Sequence, residues 1–165
     1  MPLSPTVRQF TPSNNGPKII LLDLQSTLSA NFLEMGPNPT PESIMKKEQY
    51  KLYLVDWLRQ VQQDGWEVHL FTVRSNDRRA ATLESILTKV QWQPDAYWFK
   101  SSEIGKAPEV KSAYLDRLIP ERNPSALYAF ESNAATRMMF EDRRISCRPI
   151  SESADLPLLS EFVDS

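Results

Sequence analysis

Four residues that can handle phosphate fall at the ends of apolar runs in this chain or in the segments that follow them. They are Asp23 in KIILLDLQST, Thr72 in WEVHLFTV, Lys106 in GKAPEVK and Glu131 in SALYAFE. A carboxylate such as Asp23 can attack phosphorus. Thr72 can hold a phosphoryl oxygen, and Lys106 can neutralise the charge that develops on it. Asp23 and Glu131 together can hold Mg²⁺, a hard cation that prefers oxygen ligands. Taken singly, each has a plainer role as a turn residue, a strand-end hydroxyl or a solvated lysine. Their order along the chain joins them.

The elements that must bring them together are legible as periodicity. KIILLD is short and continuously apolar, as in a strand buried on both faces. WEVHLFTV, AYWF, SALYAFE and ISCRPI read as four more strands. Between them, apolar residues recur at helical spacing: Ile44, Tyr50, Leu54, Trp57, Leu58 and Val61 from about Ser43 to Gln63, then Leu83, Ile86, Leu87 and Val90 after a cap at Asn76. Gly65 stops the first helix. Pro108 sits in the first turn of a third helix, which runs to about Leu118 or Ile119. Ala134 to Arg143 is a fourth, and LPLLSEF reads as a packed helical turn.

Strands that alternate with helices imply an α/β fold: a three-layer sandwich around a five-stranded parallel, Rossmann-like sheet. Ligands of such sheets bind beyond the carboxyl ends of the strands, where Asp23, Thr72, Lys106 and Glu131 all fall.

The bulk numbers suit one domain. The chain has 165 residues, 41% of them hydrophobic and 24% charged, with a formal net charge of −2. Nothing in that charge drives wholesale binding to nucleic acid or an anionic membrane. Residues 1–17, with Pro2, Pro5, Pro12, Gly16 and Pro17, read as a flexible arm, and 18–165 as the single domain. The lone Cys147 excludes an intramolecular disulfide and reads as a strand residue. His69 and the four tryptophans read as core or edge residues. No run reaches membrane-spanning length, and no secretory leader is evident. The expected location is cytoplasmic, with no membrane partner.

The four motifs resemble those of the haloacid dehalogenase superfamily. Its D-x-D-x-T strand end corresponds to DLQST, which keeps Asp23 and Thr27 but has Gln25 at the second acid. Its strand ending in Ser or Thr corresponds to LFTVR, and its lysine at a helix start to Lys106. Its acidic pair corresponds to Glu131 and Ser132. The run from GKAPEVKSAYLDRL to FEDRRISCRPI is similar to polynucleotide kinase 3′-phosphatase domains. The resemblance implies Asp23, Thr72 and Lys106 as catalytic residues, with Thr27, Thr72 and Lys106 on the phosphate. It implies Asp23 and Glu131 on Mg²⁺. Arg74, Arg78, Arg79 and Lys100 add positive charge near the rim, and Arg74 is the expected further phosphate contact.

Gln25 and Ser132 are the degenerate positions. In family members of this kind the second acid gives the leaving oxygen a proton, a service worth roughly 10²–10⁴-fold. Gln25 cannot do this, and neutral Ser132 weakens metal binding. The expected function is a phosphohydrolase with an aspartate nucleophile, Mg²⁺ and impaired acid–base catalysis, acting on nucleotide or polynucleotide phosphate. The alternative is a silenced relative that binds a protein or ligand. A third reading is metal-free displacement of halide or another good leaving group. Residues 29–42 and 74–106 leave no room for a lid domain. A lidless site admits a large phosphorylated substrate, such as a nucleic-acid end or a protein, or a protein partner that closes it.

Overall fold

The computed structural model describes residues 9–101, 105–158 and 161. Five parallel strands form one sheet in the order β3-β2-β1-β4-β5. They are β1 (Lys18–Leu22), β2 (Glu67–Ser75), β3 (Ala96–Lys100), β4 (Ala126–Phe130) and β5 (Ser146–Arg148). The helices are α1 (Phe32–Met35), α2 (Pro41–Lys47), α3 (Leu52–Gln63), α4 (Arg79–Val90), α5 (Ala107–Arg122) and α6 (Ala134–Asp142). The expected α/β sandwich with a parallel five-stranded sheet is therefore what forms, and 29–42 holds no inserted domain.

Strand β1 is central, and its alternating side chains build both cores. Ile20 and Leu22 pack with Leu54, Leu58, Val68, Leu70 and Ile86, under α3 and α4. Ile19 and Leu21 pack with Phe71, Tyr114, Leu115, Leu118 and Phe140, under α5 and α6. In register, Leu22 lies opposite Leu70 of β2 and Phe130 of β4, so Asp23 leaves the sheet level with the end of β4, while β2 runs on to Ser75.

Three expectations are corrected in detail. The helix expected from Ser43 to Gln63 is two helices, α2 and α3, separated by 48–51. The break turns Glu48 and Tyr50 inward: Glu48 is buried against Arg74, and Tyr50 donates a hydrogen bond to Glu48. Apolar spacing continues across the break, so periodicity did not reveal it. Helix α5 runs past Pro120 to Arg122, a few residues beyond the expected stop at Leu118 or Ile119. Asn76 opens a short 3₁₀ turn, 76–78, ahead of α4.

Of the arm expected over 1–17, residues 1–8 lie outside the described residues. The rest runs along the domain. Phe10 is buried in the α5–α6 core, its N–H donates to Arg143 O, and Ser13 Oγ donates to Asn123 O. The turn expected over LPLLSEF lies partly outside the described residues. No helix among the described residues is long and apolar enough to cross a membrane.

Candidate active site at the strand ends

At the end of β1 the chain makes a tight turn over 24–28, with Gln25 extended and Ser26 in the left-handed region (φ 62°). This turn brings Thr27 back over Asp23, and Thr27 Oγ1 donates to Asp23 Oδ2 at 3.0 Å. Asp23 N–H donates to Phe130 O, which ties the ends of β1 and β4 together. Directly beyond β4, Ser132 Oγ donates to the same Asp23 Oδ2 at 2.9 Å and lies 3.1 Å from Gln25 O. Arg137, on α6, donates to the carbonyls of Glu131 and Ser132 and holds this loop in place.

The lysine that meets Asp23 is Lys111, which the sequence reading did not single out. Its Nζ lies 2.9 Å from Asp23 Oδ1 and 2.5 Å from Glu131 Oε1, fully buried. Lys106, the expected partner, stands exposed at the N-cap of α5. The reason is helical geometry. A side chain in a helix leans towards the N-terminus, so a lysine one turn inside α5 reaches back to the strand ends. A signal was present: Lys111, Tyr114, Leu115 and Leu118 share one apolar stripe, and a lone cation in such a stripe needs a buried partner.

Burial alone would lower the Lys111 pKa, but the charges of Asp23 and Glu131 outweigh it, and the group is raised and stays an ammonium. Burial, together with the Asp23 charge, pushes the Glu131 carboxyl up to about 7. Lys111 and the Asn133 N–H oppose that rise.

The other expected residues are placed as follows. Thr72, expected to end its strand, is buried within β2, which continues to Ser75; its Oγ1 accepts from Arg74 N–H and its carbonyl accepts from Tyr114 Oη. Arg74 is turned away from the phosphate role expected of it. Its guanidinium grips Glu48 with two bonds, of 2.9 and 2.7 Å, and also donates to Thr82. Gln25 donates its side-chain amide to Pro37 O. A second unforeseen cation, Lys51, bonds Ser26 O and Ile150 O and clamps the turn after β1. Burial lowers its pKa, while the charges of Asp155 and Asp23 act to raise it. His69 is a core residue: Trp98 Nε1 donates to its Nδ1, so its Nε2–H faces Glu67.

No family model matches the chain, and no curated protein does. Solved structures match. Two are chains from structures of the Pnkp1/Rnl/Hen1 RNA repair complex, with TM-scores of 0.67 and 0.68 at 20% and 21% identity. Both alignments cover 89% of this chain, and 46% and 50% of the other. A hydrolase of the haloacid dehalogenase-like family from Streptococcus pneumoniae matches with a TM-score of 0.52 at 12% identity, over 79% of this chain and 83% of that one. This chain has a haloacid dehalogenase-like fold. It spans about half the length of the RNA-repair chains it matches.

In this site the two carboxylates expected to hold Mg²⁺ are engaged by the chain itself. All four carboxylate oxygens already accept bonds from the chain: Asp23 Oδ1 from Lys111, Asp23 Oδ2 from Thr27 and Ser132, Glu131 Oε1 from Lys111, and Glu131 Oε2 from Asn133 N–H. The ammonium of Lys111 bridges the two carboxylates. Among the described residues no group of three His, Cys, Asp or Glu gathers to hold a metal.

Proposed function

We propose that the chain is a phosphatase-type module in which Asp23 is the attacking carboxylate and Lys111 supplies the positive charge. The observation that carries this reading is the Lys111 bridge. It sets a buried cation 2.9 Å from Asp23 Oδ1, and a positive charge beside the attacked phosphoryl group is where charge stabilisation counts most. In the first step an Asp23 oxygen bonds to phosphorus, and the bond to the leaving oxygen breaks with its electron pair. Nothing at position 25 can protonate that oxygen, so substrates with stable leaving anions, aryl or acyl phosphates, are turned over best. Water then hydrolyses the aspartyl phosphate and its proton passes to solvent. The lidless rim and the two RNA-repair neighbours support a large substrate, a phosphorylated nucleic-acid end.

A second reading is a silenced module that binds a ligand or protein partner. Asp23 is only 6% exposed, and neither cavity described in the molecule is lined by Asp23, Thr72, Lys111 or Glu131. Hydrolysis of p-nitrophenyl phosphate and of a 3′-phosphorylated oligonucleotide, with Mg²⁺ or a chelator, decides between the two. Slow aryl phosphate turnover that survives chelation and is abolished by Asp23→Asn supports the first. No turnover in the wild type, with a trace in Gln25→Asp, replaces it with the second.

A further inference from the structure

A cavity of about 670 Å³ lies away from the Asp23 cluster, along the outer side of β3. Strand β3 is the edge of the sheet and pairs only with β2 among the described strands. The cavity wraps around that edge. On the α4 side it is lined by Tyr97, 47% exposed, with the Arg79 guanidinium 5.7 Å from the ring centre. On the α5 side it is lined by Trp98, with the Arg117 guanidinium at 5.3 Å. Two arginine–aromatic stacks therefore straddle one unpaired strand edge.

We propose that this edge is a docking site for an acidic peptide segment in extended conformation, added beside β3 as a sixth strand. The outer side of a strand offers N–H and C=O groups in alternation, and only another backbone answers both. That favours a polypeptide over a nucleic acid, whose phosphates accept bonds but donate none. Charge selects an acidic one. Arg79 has no carboxylate in ion-pair range among the described residues, and Arg117 has only an exposed one, Glu121, at 3.9 Å. Tryptophan, tyrosine and arginine are also the residues that dominate the energetics of protein interfaces. Five residues of β3 present about 17 Å of edge, room for a peptide strand of about five residues.

The probe is a fluorescent peptide of alternating Glu and Val, tested by anisotropy beside a Lys/Val peptide, the Glu/Val peptide with a central proline, and a single-stranded oligonucleotide. Saturable binding of the Glu/Val peptide is expected. It should weaken about tenfold or more in Arg79→Glu/Arg117→Glu, with amide exchange slowed at 96–100 and little affinity for the proline peptide. An unchanged melting temperature shows that the doubly substituted protein is folded. Asp23→Asn should bind the peptide like wild type, which separates this site from the proposed phosphatase chemistry. Equal binding of the Lys/Val peptide, tighter binding of the oligonucleotide, no binding at all, or binding without protection at β3 would each overturn the proposal.

Discussion

Lys111 and Asp23 stand 88 positions apart in the chain, and their Nζ and Oδ1 atoms are 2.9 Å apart in the fold. The same ammonium reaches Glu131, so one buried cation joins the ends of β1 and β4 to α5. Removing one partner of a buried ion pair leaves an uncompensated charge, which is far more harmful than losing an exposed pair. Lys111→Ala should therefore destabilise the protein by about 3–5 kcal/mol. Lys106→Ala, on an exposed side chain, should change stability by less than about 0.5 kcal/mol. Urea denaturation of both variants checks this, and equal effects would remove Lys111 from its role at the centre.

The same bridge determines how the protein meets divalent ions. With Lys111 between the two carboxylates, Mg²⁺ should leave the melting temperature of the wild type unmoved. Taking the ammonium out exposes two acids side by side, so Lys111→Ala should melt higher as Mg²⁺ is added, by mass action on the folded state. Thermal melting across a Mg²⁺ titration reads both. Stabilisation of the wild type would show that the metal competes successfully with Lys111.

Restoring the missing acid should change which substrates react. Gln25→Asp places a proton donor where the leaving oxygen departs, so hydrolysis of alkyl phosphates should rise more than that of aryl phosphates. The expected gain is within the roughly 10²–10⁴-fold range of general acid catalysis. Comparing kcat/KM for p-nitrophenyl phosphate and an alkyl phosphate tests this, and a uniform gain for both would argue against a leaving-group effect.

Arg74 belongs to a clamp between β2 and the break that separates α2 from α3. Its pair with Glu48 is fully buried, with Tyr50 and Thr82 completing the network. Glu48→Ala and Arg74→Ala should each cost about 3–5 kcal/mol, since each strands the opposite charge. A double-mutant cycle measured by denaturation should show strong coupling. Independent effects would return Arg74 to the phosphate role that its position two residues beyond Thr72 suggested.

Stability should also depend on pH through His69. Burial lowers its pKa below the ordinary value, although Glu67 opposes this with a hydrogen bond and its charge; Asp95 also raises it and Arg122 lowers it. A base depressed in the folded state stabilises the fold above its unfolded pKa, near 6.5. That stabilisation is lost as pH falls towards and through the lower folded value. His69→Gln should flatten this acid-side slope in urea midpoints measured across pH, and an unchanged slope would assign it to other groups.

The amino-acid sequence by itself determined the sheet and the rim. Short apolar runs separated by helical periods admit few arrangements besides a parallel sheet, and such a sheet gathers its strand ends on one side. Asp23, Thr27, Glu131 and Ser132 were legible for that reason, each directly following a strand or one turn beyond it. The tertiary structure alone decided which cation enters and which polar residues stay outside. Lys106 and Lys111 are five residues apart in one segment, yet the phase of α5 buries one and exposes the other. Arg74 follows Thr72 by two positions, but a helix break 26 residues upstream supplies the carboxylate that turns it away. Those outcomes depend on contacts between distant segments, and local spacing carries no record of them.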